Sequence, residues 1–206
     1  MEKKKIGLFA HNPLLSLALG LTTALAVTTT LTNAAAMGVI TLVLFFLTAI
    51  LCGMVNKVVA QEYTWAVDVV IIAMLTKLTE LLVLAFAPAL AQNVGIFLPL
   101  LAANSLLFFS AGLFDDETSQ GESLQEGFMA GIYYLVALLV VGFFRELLAT
   151  GGIQLVNPLN GNELTGFTLI PSAYVLALFD KPEGALLTVA VVGALFAFLG
   201  SRKGGK

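Results

Sequence analysis

VGIFLPLLAANSLLFFSAG, residues 94–112, is the stretch on which the fold turns. About 19 apolar or small residues run without a charge, and a helix of that length matches the roughly 30 Å hydrocarbon core of a bilayer. Asn104-Ser105 falls near its middle, where lipid solvates no polar group. An amide there needs a partner inside the protein or costs a few kcal/mol. Pro99 removes a backbone donor near the start of the segment. Ala102 and Ala103 allow a neighbouring backbone to come close. The dipeptide therefore marks a place of close polar packing.

Composition carries the same message along the whole chain. Of 206 residues, 59% are apolar and 11% charged, with a mean hydropathy of +0.97. A soluble domain is excluded, and residues 1–206 read as one transmembrane domain. The opening MEKKKIGLFAHNP has three lysines and no small-residue cleavage site, so it reads as a cytoplasmic flank, with His11 at the interface. A lone cysteine, Cys52, excludes an internal disulfide and reads as a packing residue. Basic residues flank spans without aromatic interleaving, which argues against nucleic acid. No phosphate loop, catalytic triad or histidine-based metal motif is present.

An all-α protein of six transmembrane helices is predicted: about Pro13 to Asn33, Ala34 to Val55, Tyr63 to Phe86, 94–112, Gly127 to Leu148 and Gly184 to Leu199. The polar LTN at 31–33 separates the first two, and an acidic loop, DDETSQGESLQE at 115–126, follows the fourth. The connection from Ala149 to Glu183 carries turn signals at Gly151-Gly152, Asn157-Pro158 and Asn160-Gly161. Within it, GFTLIPSAYVLALF at 166–179 is too short to cross comfortably and too apolar for a loop. It reads as an extra half-helix, with a seventh tilted span as the rival. Lys3, Lys4, Lys5, Lys57, Arg202, Lys203 and Lys206 fall on one side of the six-span arrangement. The positive-inside rule then puts both termini in the cytoplasm.

Six spans divide into halves of about 1–90 and 91–206. Polar interruptions at LGLTTALAVTTT, 19–30, and at Asn104-Ser105 occupy matching spans. Paired interruptions in halves of odd span number point to a 3+3 inverted repeat with its site at the midplane. Thr28–Thr30 read as hydroxyls bonding back to their own helix, whereas Thr22-Thr23 and Asn104-Ser105 suit either packing or a site. Lys77 and Glu80 share a helix face three residues apart and should pair. That pair is either a self-neutralised packing feature or an ion-pathway site. Asp68 reads as wetted at a span start, and Arg145-Glu146 as anchors near a span end.

Four stretches carry a family resemblance: NPLLSLALGLTTALAVTTTLTNAAAMG (12–38), NVGIFLPLLAANS (93–105), GFFRELLATG (142–151) and KPEGALLTVAVVGALFAFLG (181–200). In this order they resemble the D/E-type membrane subunits of the Nqr and Rnf complexes, on the NqrD/RnfE-like branch. Those complexes are the sodium-translocating NADH:quinone reductase and the related ferredoxin:NAD reductase. The resemblance implies a bacterial inner-membrane subunit of an electron-transport, ion-translocating complex, not catalytic alone. It also implies an oppositely oriented homologous partner and further subunits. Ala24, Ala26, Ala102 and Ala103 would then meet that partner. The family has an acidic residue at the position of Glu80, an apolar one at that of Lys77, and an Arg-Glu pair at 145–146.

In the family, a cysteine follows the LGL of the first span and another the Asn of the fourth. Together with two from the sister subunit they hold a [2Fe–2S] cluster. Here these cofactor positions, beside Asn104, are Thr22 and Ser105. A neutral hydroxyl is a far poorer iron donor than a thiolate, so no cluster ligated by this chain is expected. The two hydroxyls are expected to converge at mid-membrane. Alternatives to an electron-transferring role are a cysteine-less paralogue serving ion translocation or assembly, and a stand-alone solute carrier.

Overall fold

Two antiparallel helices, α2 (Leu31–Val55) and α6 (Gln120–Thr150), form the centre of the molecule. Small residues set their separation. A Cβ added to Gly142 would lie 2.8 Å from the Ala34 Cβ, and one added to Gly131 would lie 2.8 Å from a Phe45 ring carbon. Phe45 in turn meets Tyr134 edge-on, with ring centroids 6.3 Å apart. Lipid tails are as apolar as leucine, so close approach of backbones is what favours this pairing. A computed structural model describes residues 14, 20–111, 120–169, 171, 175 and 177–203. Residues 1–13 with the lysine-rich flank and His11, 15–19 of the expected first span, 112–119 with the start of the acidic loop, 170, 172–174 and 176 of the expected half-helix, and 204–206 lie outside them.

Around this pair run α1 (Leu21–Val27), α3 (Thr64–Phe86), α4 (Pro88–Val94), α5 (Ser105–Ser110) and α7 (Pro182–Lys203). The protein is mostly helical, as the sequence predicts. Three helices are long and apolar enough to cross a membrane, namely Leu31–Val55, Thr64–Phe86 and the Phe128–Thr150 part of α6, and Pro182–Phe198 is a shorter apolar helix. A two-stranded antiparallel hairpin, β1 (Gly152–Val156) with β2 (Glu163–Thr168), covers one end. Its turn is closed by Asn157 N–H on Asn162 C=O (2.8 Å) and Gly161 N–H on Asn157 C=O (2.8 Å).

Several boundaries differ from the sequence reading. The turn between the first two helices is at 28–30, not at 31–33. Thr30 adopts extended backbone and its side chain accepts from Asn33 N–H, so it is the N-cap of α2 and Leu31–Asn33 belong to the helix. Residues 120–126 start α6 instead of completing a loop. The half-helix expected at 166–179 is not formed where the structure describes it. Residues 166–168 end strand β2, and Ala177–Asp180 make one 3₁₀ turn. The β-branched and aromatic run ELTGFT has an antiparallel partner in GIQLV across the Asn-Gly turn. That pairing, absent from the sequence reading, takes 166–168 out of the expected half-helix, while 170, 172–174 and 176 lie outside the described residues.

The stretch 94–112 also departs from a continuous helix. It breaks into 3₁₀ turns at Gly95–Phe97 and Pro99–Ala103, an extended Asn104, and then α5. Gly95 (φ 49°, ψ −123°) occupies a region closed to side-chain-bearing residues, and Pro99 cannot donate to a helical carbonyl.

Candidate functional site

The polar interruptions at 19–30 and at Asn104-Ser105 meet. Helix α1 begins after Gly20, which is left-handed (φ 71°), and α5 begins after the extended Asn104. Gly20 N–H donates to Ser105 Oγ at 3.2 Å, joining residues 85 apart in sequence. Behind this contact lies a buried chain of polar groups. Asn104 Nδ2 is 3.3 Å from Thr23 Oγ1, Thr23 Oγ1 is 2.7 Å from the Tyr134 hydroxyl, and that hydroxyl is 3.0 Å from Gly20 C=O. Thr23 Oγ1 also donates to Gly20 C=O at 2.9 Å, so both hydroxyls converge on that carbonyl. Asn104 Oδ1 accepts from Leu106 N–H at 3.0 Å, which caps α5. Asn104, Thr23 and Tyr134 are all buried. The amide that lipid could not solvate has found its partners within the chain.

Gly20 is the residue this geometry requires. An L side chain in the left-handed region is disfavoured by about 1–2 kcal/mol, and a Cβ there would stand 3.0 Å from both Asn104 Oδ1 and a Tyr134 ring carbon. Of the sequence-predicted pair, Ser105 reaches the junction. Thr22 lies two residues from Gly20, is exposed on α1, and shares no hydrogen bond with Ser105 among the described residues. Its neighbour Thr23 takes the buried position. Tyr134 is a site residue that the sequence reading did not single out. An apolar span with two adjacent tyrosines, 133–134, was its available signal, because a buried phenol needs a partner.

Arg145 and Glu146 hold the outer frame of this site. The Arg145 guanidinium is buried and donates to Leu25 C=O (2.7 Å) and Thr28 Oγ1 (3.1 Å) at the end of α1. It donates also to the carbonyls of Phe179 (2.8 Å), Asp180 (3.1 Å) and Lys181 (3.3 Å). A planar cation thus closes the carbonyl ends of two helical segments, where the macrodipole favours it. Glu146, also buried, accepts from Leu31 N–H (2.6 Å) at the start of α2 and from Gln154 N–H (2.7 Å) in β1. Together the two side chains tie α1, α2, the hairpin and the turn before α7 to α6.

The remaining charged residues separate. Lys77 Nζ and Glu80 Oε2 form the expected pair at 3.0 Å, with the lysine side chain 64% exposed on α3. Asp68, expected to be wetted, is instead buried at 1% exposure, where Asn56 Nδ2 donates to its Oδ2 at 3.2 Å. α2 packs over that turn of α3 and shuts it from solvent. Ala24, expected to face a partner, is wholly buried within this chain, whereas Ala103 is exposed.

A multi-pass helical membrane protein with two broken segments joined through buried polar groups is the class that fold and site define. Residues 3–200 match the family described as Rnf-Nqr subunit, membrane protein, and the chain belongs to that family. It is similar to the E component of the ion-translocating oxidoreductase complex of Shewanella oneidensis, 34% identical over 194 residues that cover 92% of this chain and 83% of the relative. The protein of the same name from Shewanella frigidimarina is 35% identical over 204 residues, covering 95% and 86%.

The donor set at the family's cluster positions does not fit a [2Fe–2S] group. Both residues offer hydroxyls, and Ser105 Oγ already accepts the Gly20 N–H.

Proposed function

We propose that the chain is the E-type membrane component of an Rnf/Nqr-type ion-translocating oxidoreductase complex, seated against an oppositely oriented membrane protein of the same family. The contact of Gly20 with Ser105 is the observation that carries the reading, since it joins the interruptions of the two halves as an inverted repeat requires. In this reading the halves are about 1–90 and 91–206, α1 and the broken 88–110 segment complete six crossings, and both termini face the cytoplasm of the inner membrane. The exposed faces of α1 and α3 support a protein partner. Lys77 lies in the middle of a span, where a lipid-facing ammonium costs several kcal/mol, and Thr22 presents a hydroxyl on α1.

The chain supplies scaffold and polar lining at the midplane, not iron ligands. The support for this is the donor chemistry at Thr22 and Ser105, where neutral hydroxyls stand in place of thiolates. Direct electron transfer through this chain is therefore replaced by a role in ion translocation or in holding the complex together. The test is to purify the complex anaerobically, then assay iron and the reduced-state EPR spectrum. No iron signal should depend on this chain. A stoichiometric [2Fe–2S] signal lost in Ser105→Ala or Thr22→Val would overturn the reading. Reporter fusions after Lys206 should read cytoplasmic, and a periplasmic report would reject the six-span arrangement.

A further inference from the structure

A second polar feature lies along the α2–α3 seam, away from the Gly20–Ser105 junction. Asn56 and Asp68 bond across it, which fixes the antiparallel register. Counting back along α2 in steps of four gives Cys52 and Thr48, and counting forward along α3 gives Ile72 and Thr76. All four are buried. Thr48 and Thr76 therefore stand at one level, eight residues or about 12 Å beyond Asn56 and Asp68.

This seam holds oxygen atoms that the protein leaves unused. Asp68 Oδ1, Asn56 Oδ1, Thr48 Oγ1 and Thr76 Oγ1 are buried and have no hydrogen-bond partner. The contrast with other threonines is informative. Thr28, Thr41, Thr79, Thr150 and Thr188 each donate to the carbonyl four residues back. That bond is always within reach of a helical threonine, yet Thr48 and Thr76 do not make it. Buried acceptors without donors cost about 1–3 kcal/mol each, which marks a place that something else fills.

The missing component must be positive or a donor. No described cation meets Asp68, since Lys57 is exposed beyond the end of α2 and Lys77 is paired with Glu80. The Cys52 thiol bonds to the Asp68 carboxyl, but it is a weak donor and brings no charge. Glu62, in the turn before α3, is exposed. The segments 88–94, 99–103 and 105–110, which also pack on α3, contain no charged residue. A carboxylate sunk among an amide, a thiol and aliphatic side chains is costly until a positive charge, a proton included, neutralises it.

We propose that the α2–α3 seam is a binding path for a small monovalent cation, taken up at Asp68 and Asn56 and passed towards mid-membrane at Thr48 and Thr76. A proton and a sodium ion share the required chemistry, a positive charge held by oxygen. The proposal rests on the ion-translocating reading above. It assigns the path to Asp68 and not to Glu80, whose carboxylate already has Lys77.

The test uses the intact complex in sealed vesicles, driven by its own electron donor and acceptor. Radiolabelled sodium and an internal pH dye are read against the rate of electron flow. Asp68→Asn keeps the shape and the Asn56 neighbour but cannot carry a compensating charge, so cation uptake per electron should fall by an order of magnitude. Thr76→Val, which preserves volume, should lower it several-fold, and Asp68→Glu should restore part. If sodium is the cation, the isotope signal is lost; if the proton is, the dye response is lost at any sodium concentration. Should Asp68→Asn fail to assemble, Thr76→Val decides. Wild-type uptake per electron in the assembled variants would overturn the proposal. A wild-type complex that moves neither ion would instead refute the translocating function.

Discussion

Arg145→Met offers the most direct check on how the ends of the helices are held. The substitution keeps an unbranched, comparable volume and removes all donors. The guanidinium makes five hydrogen bonds, to Leu25, Thr28, Phe179, Asp180 and Lys181. At about 1.5–3 kcal/mol for each bond to a charged group, their gross worth is about 8–15 kcal/mol. Burying the cation consumes several kcal/mol of this, so truncation should cost about 3–5 kcal/mol. Arg145→Lys should recover little of that loss. One ammonium cannot span carbonyls on two segments as a planar fork does. The assay is reversible unfolding of the lipid-micelle-embedded chain by SDS titration, followed by far-UV circular dichroism. Thr28→Val supplies the internal control, because its hydroxyl both receives Arg145 and donates to Ala24 C=O. The double variant should be less destabilised than the sum of the single variants, since the two residues share one bond. An Arg145→Met chain within about 0.5 kcal/mol of wild type would refute the reasoning.

Gly20→Ala should destabilise by about 2–4 kcal/mol, from left-handed backbone plus crowding of Asn104 and Tyr134. The same titration measures it, and an unchanged midpoint would remove the steric argument. Glu146→Gln keeps one acceptor but turns an amide N–H towards a backbone N–H, either at Leu31 or at Gln154. A loss of about 1–3 kcal/mol is expected, with faster hydrogen exchange at the start of α2 or in β1, and unaltered exchange at both would count against the cap. Asn104→Leu should loosen the α5 start and the Thr23–Tyr134 link together. Its signature is altered tyrosine fluorescence with the helix content kept.

How much of the fold is legible in the sequence depends on the range of the interaction. Hydropathy is a property of consecutive residues, so α2, α3 and α7 can be read to within a few positions of their ends, whereas the polar first two turns of α6 read as loop. Breaks at Gly95, Pro99 and Asn104 are also local, yet the 94–112 segment still reads as one helix. Continuous apolarity reports lipid or protein burial, and says nothing of whether the backbone bonds to itself in 3₁₀ or α fashion. The hairpin escapes notice for a related reason. GFTLIPSAYVLALF has the composition of a half-helix, and only its pairing with Gly152–Val156 makes part of it a strand.

The site shows the same division more sharply. That Asn104-Ser105 and Thr22-Thr23 would matter follows from the cost of polar groups at mid-depth, which is chemistry of single residues. Which threonine turns inward is decided by rotation about α1, and that rotation is set by Gly20 and by the Tyr134 hydroxyl from α6. Asp68 illustrates the converse. Its place at a span start suggests water, but α2 lies over it and supplies Asn56 in water's stead. The acid least expected to be enclosed is thus, among the described residues, a buried one with an oxygen that no nitrogen or oxygen donor meets, whereas the mid-span pair Lys77–Glu80 neutralises itself in the open. In a membrane protein, depth along the span predicts what a charge costs, and only the neighbouring helix decides whether that cost is met.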